Sequence, residues 1–150
     1  KAFGGGIMPI TGIICKPKMW VQDLIDNPWL LGSPTFGGNP VCCAAALAEV
    51  NELLDRDLAG NAAKMGAYFM EQLKTLPHVK EVRGQGLLVG VEFDDTISGV
   101  DVKHECLHRH LLITAIGAHI IRMIPPLIIT EEDCDKAVAI IREAVEALEK

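Results

Sequence analysis

The chain has 150 residues, 49% of them hydrophobic and 23% charged, with a net charge of -6. That is enough chain for a domain-sized core with the composition of an ordinary globular protein. Its acidic balance with scattered basic residues excludes a nucleic-acid footprint, and no apolar run reaches bilayer-spanning length, so a soluble, cytoplasmic metabolic protein with no nucleic-acid and no membrane partner is expected.

In chain order, Gly4-Gly5-Gly6 reads as a turn after Lys1, and residues 10–15 read as a strand closed by Lys16-Pro17. A short helix over 19–25 breaks before Pro28. Residues 27–39, with Pro28, Gly32, Pro34, Gly37 and Gly38, read as an extended irregular segment. Pro40 suits the first turn of a helix over 40–55, with Asn39 as its cap. Leu58, Ala62, Met65, Phe69, Leu73 and Leu76 recur at spacings of four and three, the stripe of a second long helix that Pro77 ends.

The second half changes character. Residues 79–82 and 87–93 read as strands flanking Arg83-Gly84-Gln85-Gly86, and 101–110 as a helix. Two further short strands, 111–115 and 119–124, surround Gly117. Thr130 with Asp133 mimics a capping box, and Cys134, Ala137, Val138, Ile141, Val145 and Leu148 form the stripe of a final helix. Aromatics are only 5%, so the core rests on aliphatic side chains. Five cysteines without C-x-x-C spacing are expected to be reduced, with Cys42 and Cys43 packing as small residues. Trp20 and Trp29 read as packing anchors. His104, His108 and His110 sit beside Lys103, Glu105 and Arg109, which suggests a solvated helix rather than a metal site.

Four motifs carry candidate chemistry. The first is Lys1-Ala2-Phe3-Gly4-Gly5-Gly6: a lysine amine can condense with an aldehyde, and glycines let backbone approach a planar cofactor. The second, Thr35-Phe36-Gly37-Gly38-Asn39-Pro40, places a hydroxyl and the free amides of a helix start where a phosphate could sit. The third and fourth are Arg83-Gly84-Gln85-Gly86-Leu87-Leu88 and Ile121-Arg122-Met123-Ile124-Pro125-Pro126-Leu127. Each arginine can pair at the surface or fork a carboxylate.

In this order and spacing the motifs resemble the C-terminal part of the class III, fold type I pyridoxal-phosphate aminotransferases, over essentially the whole chain. Gly4-Gly5-Gly6-Ile7-Met8-Pro9-Ile10 and the run from Leu112 through Arg122 to Thr130 are most similar to the acetylornithine, ornithine and putrescine branch. The resemblance implies an α/β fold: residues 1–38 as a remnant of the large cofactor-binding domain, 39–77 as linking helices, and 78–150 as a small α/β subdomain with a short antiparallel sheet. It implies pyridoxal 5'-phosphate as cofactor, with Lys1 as its covalent anchor and proton carrier. Thr35 is implied as a contact to the cofactor phosphate, across a homodimer interface, and Arg83 as a residue near the substrate carboxylate. Arg122 is either a substrate contact or part of the subdomain's structure. The implied reaction moves an amino group from acetylornithine, ornithine or a related ω-amine to a 2-oxo acid, 2-oxoglutarate being expected.

The family's acidic partner for the pyridine nitrogen, its stacking aromatic and its phosphate turn all precede the lysine. The 150 residues alone are therefore expected to be inactive, since electron withdrawal by the cofactor needs that partner. Two alternatives stay open: another class III activity, such as a 4-aminobutyrate or putrescine aminotransferase or an aminomutase, and a non-catalytic α/β module for subunit association.

Overall fold

The computed structural model describes residues 2–14, 16–32 and 35–149. The chain divides into two compact units, Lys1–Arg56 and Asp57–Lys150, where the sequence places its breaks after residues 38 and 77.

In the first unit the glycine run folds as a turn: the Gly5 amide donates to the Ala2 carbonyl at 2.9 Å and the Met8 amide to the Gly4 carbonyl at 3.1 Å. Residues 10–14 form no strand, which corrects the strand expected over 10–15; Cys15 lies outside the described residues. A strand exists only where a neighbour takes its amides and carbonyls, and no such neighbour is present among the described residues of this unit. The helix expected over 19–25 is displaced and short: a 3-10 turn at Pro17–Met19 precedes α1 (Gln22–Asp26), and a second 3-10 turn follows at Pro28–Leu31. Helix α2 (Pro40–Asp55) starts where the sequence places it, with Pro40 in its first turn and Asn39 as a side-chain cap. Trp20 and Trp29 are exposed, at 45% and 64%, rather than packed. Ala46 is the buried apolar side chain among the described residues here, so the unit offers the two indoles no core to enter.

The second unit is built on a four-stranded sheet. Its strands are β1 (Val79–Gln85), β2 (Leu88–Phe93), β3 (Thr114–Ile116) and β4 (Ile120–Met123), in the spatial order β1-β2-β4-β3. All three neighbouring pairs are antiparallel. Arg83, Gly84 and Gln85, expected in a loop, belong to β1; the reversal falls at Gly86 and Leu87. A strand accepts such polar residues because only one face of this sheet is covered, so alternate side chains face outwards. The cover is α3 (Leu58–Leu73), α4 (Gly99–His108) and α5 (Glu131–Leu148). Val89, Val91 and Phe93 from β2 and Ile121 and Met123 from β4 pack with Phe69, Leu73, Val102, Ile141 and Val145 of the helices in one core. Burying each of the larger of these side chains stabilises by about 1.5–3 kcal/mol.

Helix α5 keeps its expected cap. Thr130 accepts from the Asp133 amide, and the Asp133 carboxylate accepts from the Thr130 amide at 3.0 Å. Its buried stripe is Cys134, Val138, Ile141, Ala144 and Val145, with Ala137 and Leu148 half-buried.

Candidate active site

The open face of the sheet carries the third and fourth motifs. Cross-strand pairing sets Arg83 opposite Gly90, Gly90 opposite Arg122, and Arg122 opposite Thr114. Directly paired residues project from the same face, so these four form one row across all four strands. The buried Val89, Val91, Ile121 and Met123 point the other way into the core. With strands about 4.8 Å apart, the Arg83 and Arg122 backbones stand about 10 Å from each other, with a residue lacking any side chain between them. An open cleft of about 430 Å³ lies over this row, lined by both arginines, Gly90, Gln85, Ile116 and Ile120 among others.

The two arginines differ electrostatically. Arg83 Nη1 donates to Glu81 Oε2 at 2.6 Å and to Glu92 Oε2 at 2.9 Å, and Lys80 Nζ reaches Glu92 Oε1 at 2.9 Å. Two cations and two carboxylates thus balance one another. The hydrogen bond from Lys80, followed by that from Arg83, holds the Glu92 carboxyl below its ordinary range, and the Glu92 hydrogen bond raises Arg83. Arg122 stands outside that network: its Nε is buried with no hydrogen-bond partner among the described residues. A guanidinium N–H in that state gains a full charge-assisted bond when a carboxylate reaches it. The sequence left Arg122's role open; its register beside Gly90 and its unmatched nitrogen are what distinguish it, and neither is visible in a motif.

Of the residues singled out in the sequence, Lys1 lies outside the described residues. Thr35 is exposed in a turn running to Gly38, just ahead of α2. The amides at the start of α2 are not free for a phosphate, which corrects one expectation. Asn39 Oδ1 accepts from the Val41 and Cys42 amides at 3.0 and 3.3 Å, the Cys43 amide donates to the Asn39 carbonyl at 2.9 Å, and Pro40 has none. What this segment offers an anion is the Thr35 hydroxyl and the backbone of its glycine turn. Thr35 belongs to the first unit and Arg83 and Arg122 to the second; the structure brings the two arginines onto one row.

The other polar candidates are plainer. His104, His108 and His110 are exposed, and no cluster of three metal-ligating side chains occurs among the described residues. Cys106 and Cys134 are buried and unbridged, Cys42 is half-buried and Cys43 exposed. Burial pushes the Cys106 thiol up to about 11. Among the described residues no helix is long and apolar enough to cross a membrane.

Residues 1–145 match the family model described as aminotransferase class-III. The chain belongs to the class III aminotransferases. It is 42% identical over 144 residues to ornithine aminotransferase 2 of Staphylococcus aureus (strain N315), a match covering 95% of this chain and 35% of that protein. Among solved structures, a transaminase from directed evolution by ancestral reconstruction superposes with a TM-score of 0.82 at 32% identity, over 98% of this chain and 36% of the other. The ornithine aminotransferase of Toxoplasma gondii, with partial occupancy of PLP at its active site, gives 0.68 at 37% identity over 78% of this chain and 29% of its own. This class III chain therefore spans about a third of the length of the relatives it matches. Class III aminotransferases depend on pyridoxal phosphate, and the glycine turn that follows Lys1 leaves open space beside its backbone for such a group. Gly5 and Gly6 hold φ of 67° and 71°, a conformation open to glycine, and a Cβ on Gly6 would meet nothing within 4 Å, so the turn after Lys1 presents bare backbone.

Proposed function

We propose that the complete protein is a cytoplasmic, homodimeric aminotransferase that moves an amino group from ornithine, acetylornithine or a related ω-amine to 2-oxoglutarate. The match of the class III family over residues 1–145, with ornithine aminotransferases among the relatives, carries this reading.

Pyridoxal phosphate, when bound, supplies a ring that withdraws electrons from the carbon bearing the transferred amine. The chain's own residues do the rest. Lys1 Nζ would hold the cofactor and, as general base and acid, would carry a proton between that carbon and C4′ of the cofactor. Thr35 Oγ1 donates to the cofactor phosphate, in the partner subunit's site. Arg83 faces the carboxylate side of the substrate together with Arg122, the one with its charge balanced by Glu81 and Glu92 and the other with an unmatched Nε. The Arg83 network fixes the sheet face electrostatically, so an incoming carboxylate is met by the charge of Arg122, which lines the same cleft outside that network.

The test is glutamate formation from 2-oxoglutarate by the complete protein with pyridoxal phosphate, across ornithine, acetylornithine, putrescine and 4-aminobutyrate. Turnover with at least one of the first two, abolished by Lys1→Ala, is expected; glutamate from none of the four overturns the reading. Arg122→Ala should raise KM for 2-oxoglutarate by about tenfold, the scale of a lost hydrogen bond to a charged group. The 150-residue chain by itself should give no turnover, because it spans only about a third of its relatives. Turnover by that chain alone would remove that part of the proposal.

A further inference from the structure

Gly90 sits in β2, one of the two central strands of the sheet, between the two arginines of the row. Glycine in such a place weakens a strand, because it loses more backbone freedom on folding and contributes no side-chain packing. Elsewhere in this unit close backbone contacts explain two other glycines of the sheet and its cover. A Cβ on Gly66 would overlap the Gly86 carbonyl, and one on Gly84 would overlap the Leu88 carbonyl oxygen. Neither reason applies to Gly90. Its φ is not positive, and a Cβ built on it would meet only the carbonyl oxygens of Arg83 and Ile121 at 3.8 and 3.9 Å, ordinary contact distances. The backbone would accept an L side chain there without strain.

What a side chain would occupy is the cleft itself. Gly90 lines the cleft of about 430 Å³, and its Cβ direction is the open face, since Val89 and Val91 on either side are both fully buried in the core. We propose that Gly90 is a specificity-determining residue: its missing side chain leaves the space between Arg83 and Arg122 that admits the carboxylate end of the 2-oxo acid. It touches no reacting atom and acts through volume alone. This inference rests on the aminotransferase reading above and goes beyond it by naming what sets the width of the carboxylate site.

The experiment uses the complete protein with pyridoxal phosphate, and glutarate, a dicarboxylate with no group to react, as the calorimetric probe. Wild type should bind glutarate. Gly90→Val should weaken that binding about tenfold or more, the scale on which a few methyl groups discriminate in a fitted site. It should raise KM for 2-oxoglutarate in parallel, with kcat at saturation and the melting temperature nearly unchanged. Gly90→Ala should fall between the two, and it decides the matter if the valine variant does not fold. Wild-type glutarate affinity and KM in a folded Gly90→Val, or in Gly90→Ala when valine is not tolerated, overturn the role of Gly90 while leaving the aminotransferase intact. A wild type that neither binds glutarate nor forms glutamate overturns the underlying reading, and this inference with it.

Discussion

Gly66, in the middle of α3, lies directly against the carbonyl of Gly86 in the turn between β1 and β2, leaving no room for even a methyl group. Helix and turn therefore meet backbone to backbone, and that contact sets how closely α3 lies on the sheet. Gly86 itself holds φ of 54°, and a Cβ built on it would meet the Ala62 carbonyl oxygen of α3 at 3.6 Å.

Gly66→Ala should therefore destabilise the protein even though alanine is the better helix former by about 1 kcal/mol. Overpacking of a tight contact costs about 1–3 kcal/mol, and it outweighs the propensity gain. Urea denaturation compared with Gly60→Ala would check this, because a Cβ on Gly60 meets only the Asp57 side chain, which can turn aside. Equal or greater stability of Gly66→Ala would contradict the packing account.

A pH-dependent clasp joins the start of β1, the end of β2 and the end of α5. His78 Nδ1 lies 2.9 Å from Asp94 Oδ2 and its Nε2 3.0 Å from Glu149 Oε1, while the Asp94 amide donates to the His78 carbonyl at 2.8 Å. The Asp94 hydrogen bond raises the imidazole above its ordinary 6.5. Hydrogen bonds from Thr96 first and His78 second hold the Asp94 carboxyl at about 2, below its ordinary 3.8. The histidine's contribution is complete below pH 6.5 and is lost as pH rises through its folded value. The aspartate's is complete above 3.8 and is lost as pH falls through about 2. The clasp is thus fullest between those two ordinary values. His78→Ala should lower the melting temperature more at pH 5 than at pH 9, and salt should narrow the gap because the groups are partly exposed. An equal deficit at both values would remove the ionic part of the clasp.

The cap of α5 makes a simpler case. Thr130→Ala removes an acceptor for the Asp133 amide and should cost about 0.5–2 kcal/mol, with Thr130→Ser restoring most of it. Chemical denaturation of the three proteins measures the difference. A serine variant no better than alanine would assign the loss to the threonine methyl instead.

Cysteine labelling should follow exposure. Cys43 lies on the outside of α2, whereas Cys106 is fully buried between α4 and the sheet with its thiol pushed up to about 11. Maleimide at neutral pH should modify Cys43 within minutes and reach Cys106 only on unfolding, as peptide mass spectrometry would show. Rapid labelling of Cys106 in the folded protein would mean that the α4 side of the core opens readily.

The helices of the second unit are legible in the sequence because each signal is local. A stripe at spacings of three and four, a proline beyond α3 and a threonine three residues before Asp133 sit within one element. Residues 10–14 misled for the opposite reason: an apolar run is only half of a strand, and its partner lies elsewhere. The indoles of Trp20 and Trp29 misled likewise, since size implies burial only where a core exists to receive them. The cofactor contacts proposed for Lys1 and Thr35 rest on motif, which is visible in the sequence alone. The row through Arg83, Gly90 and Arg122 is not visible there, because it depends on a reversal at Gly86 and a pairing to β4 some thirty residues on.

Strand β2 packs two separate instructions into six consecutive residues. Val89, Val91 and Phe93 answer to the core, while Leu88, Gly90 and Glu92 answer to whatever meets the bare side of the sheet. A saturation scan along this strand, scored in parallel for abundance and for turnover, should therefore separate into two interleaved records. Odd positions would lose both together, and even positions would lose turnover while the protein still accumulates. Adjacent codons would then evolve under different pressures, one set by volume and the other by the shape of a small molecule.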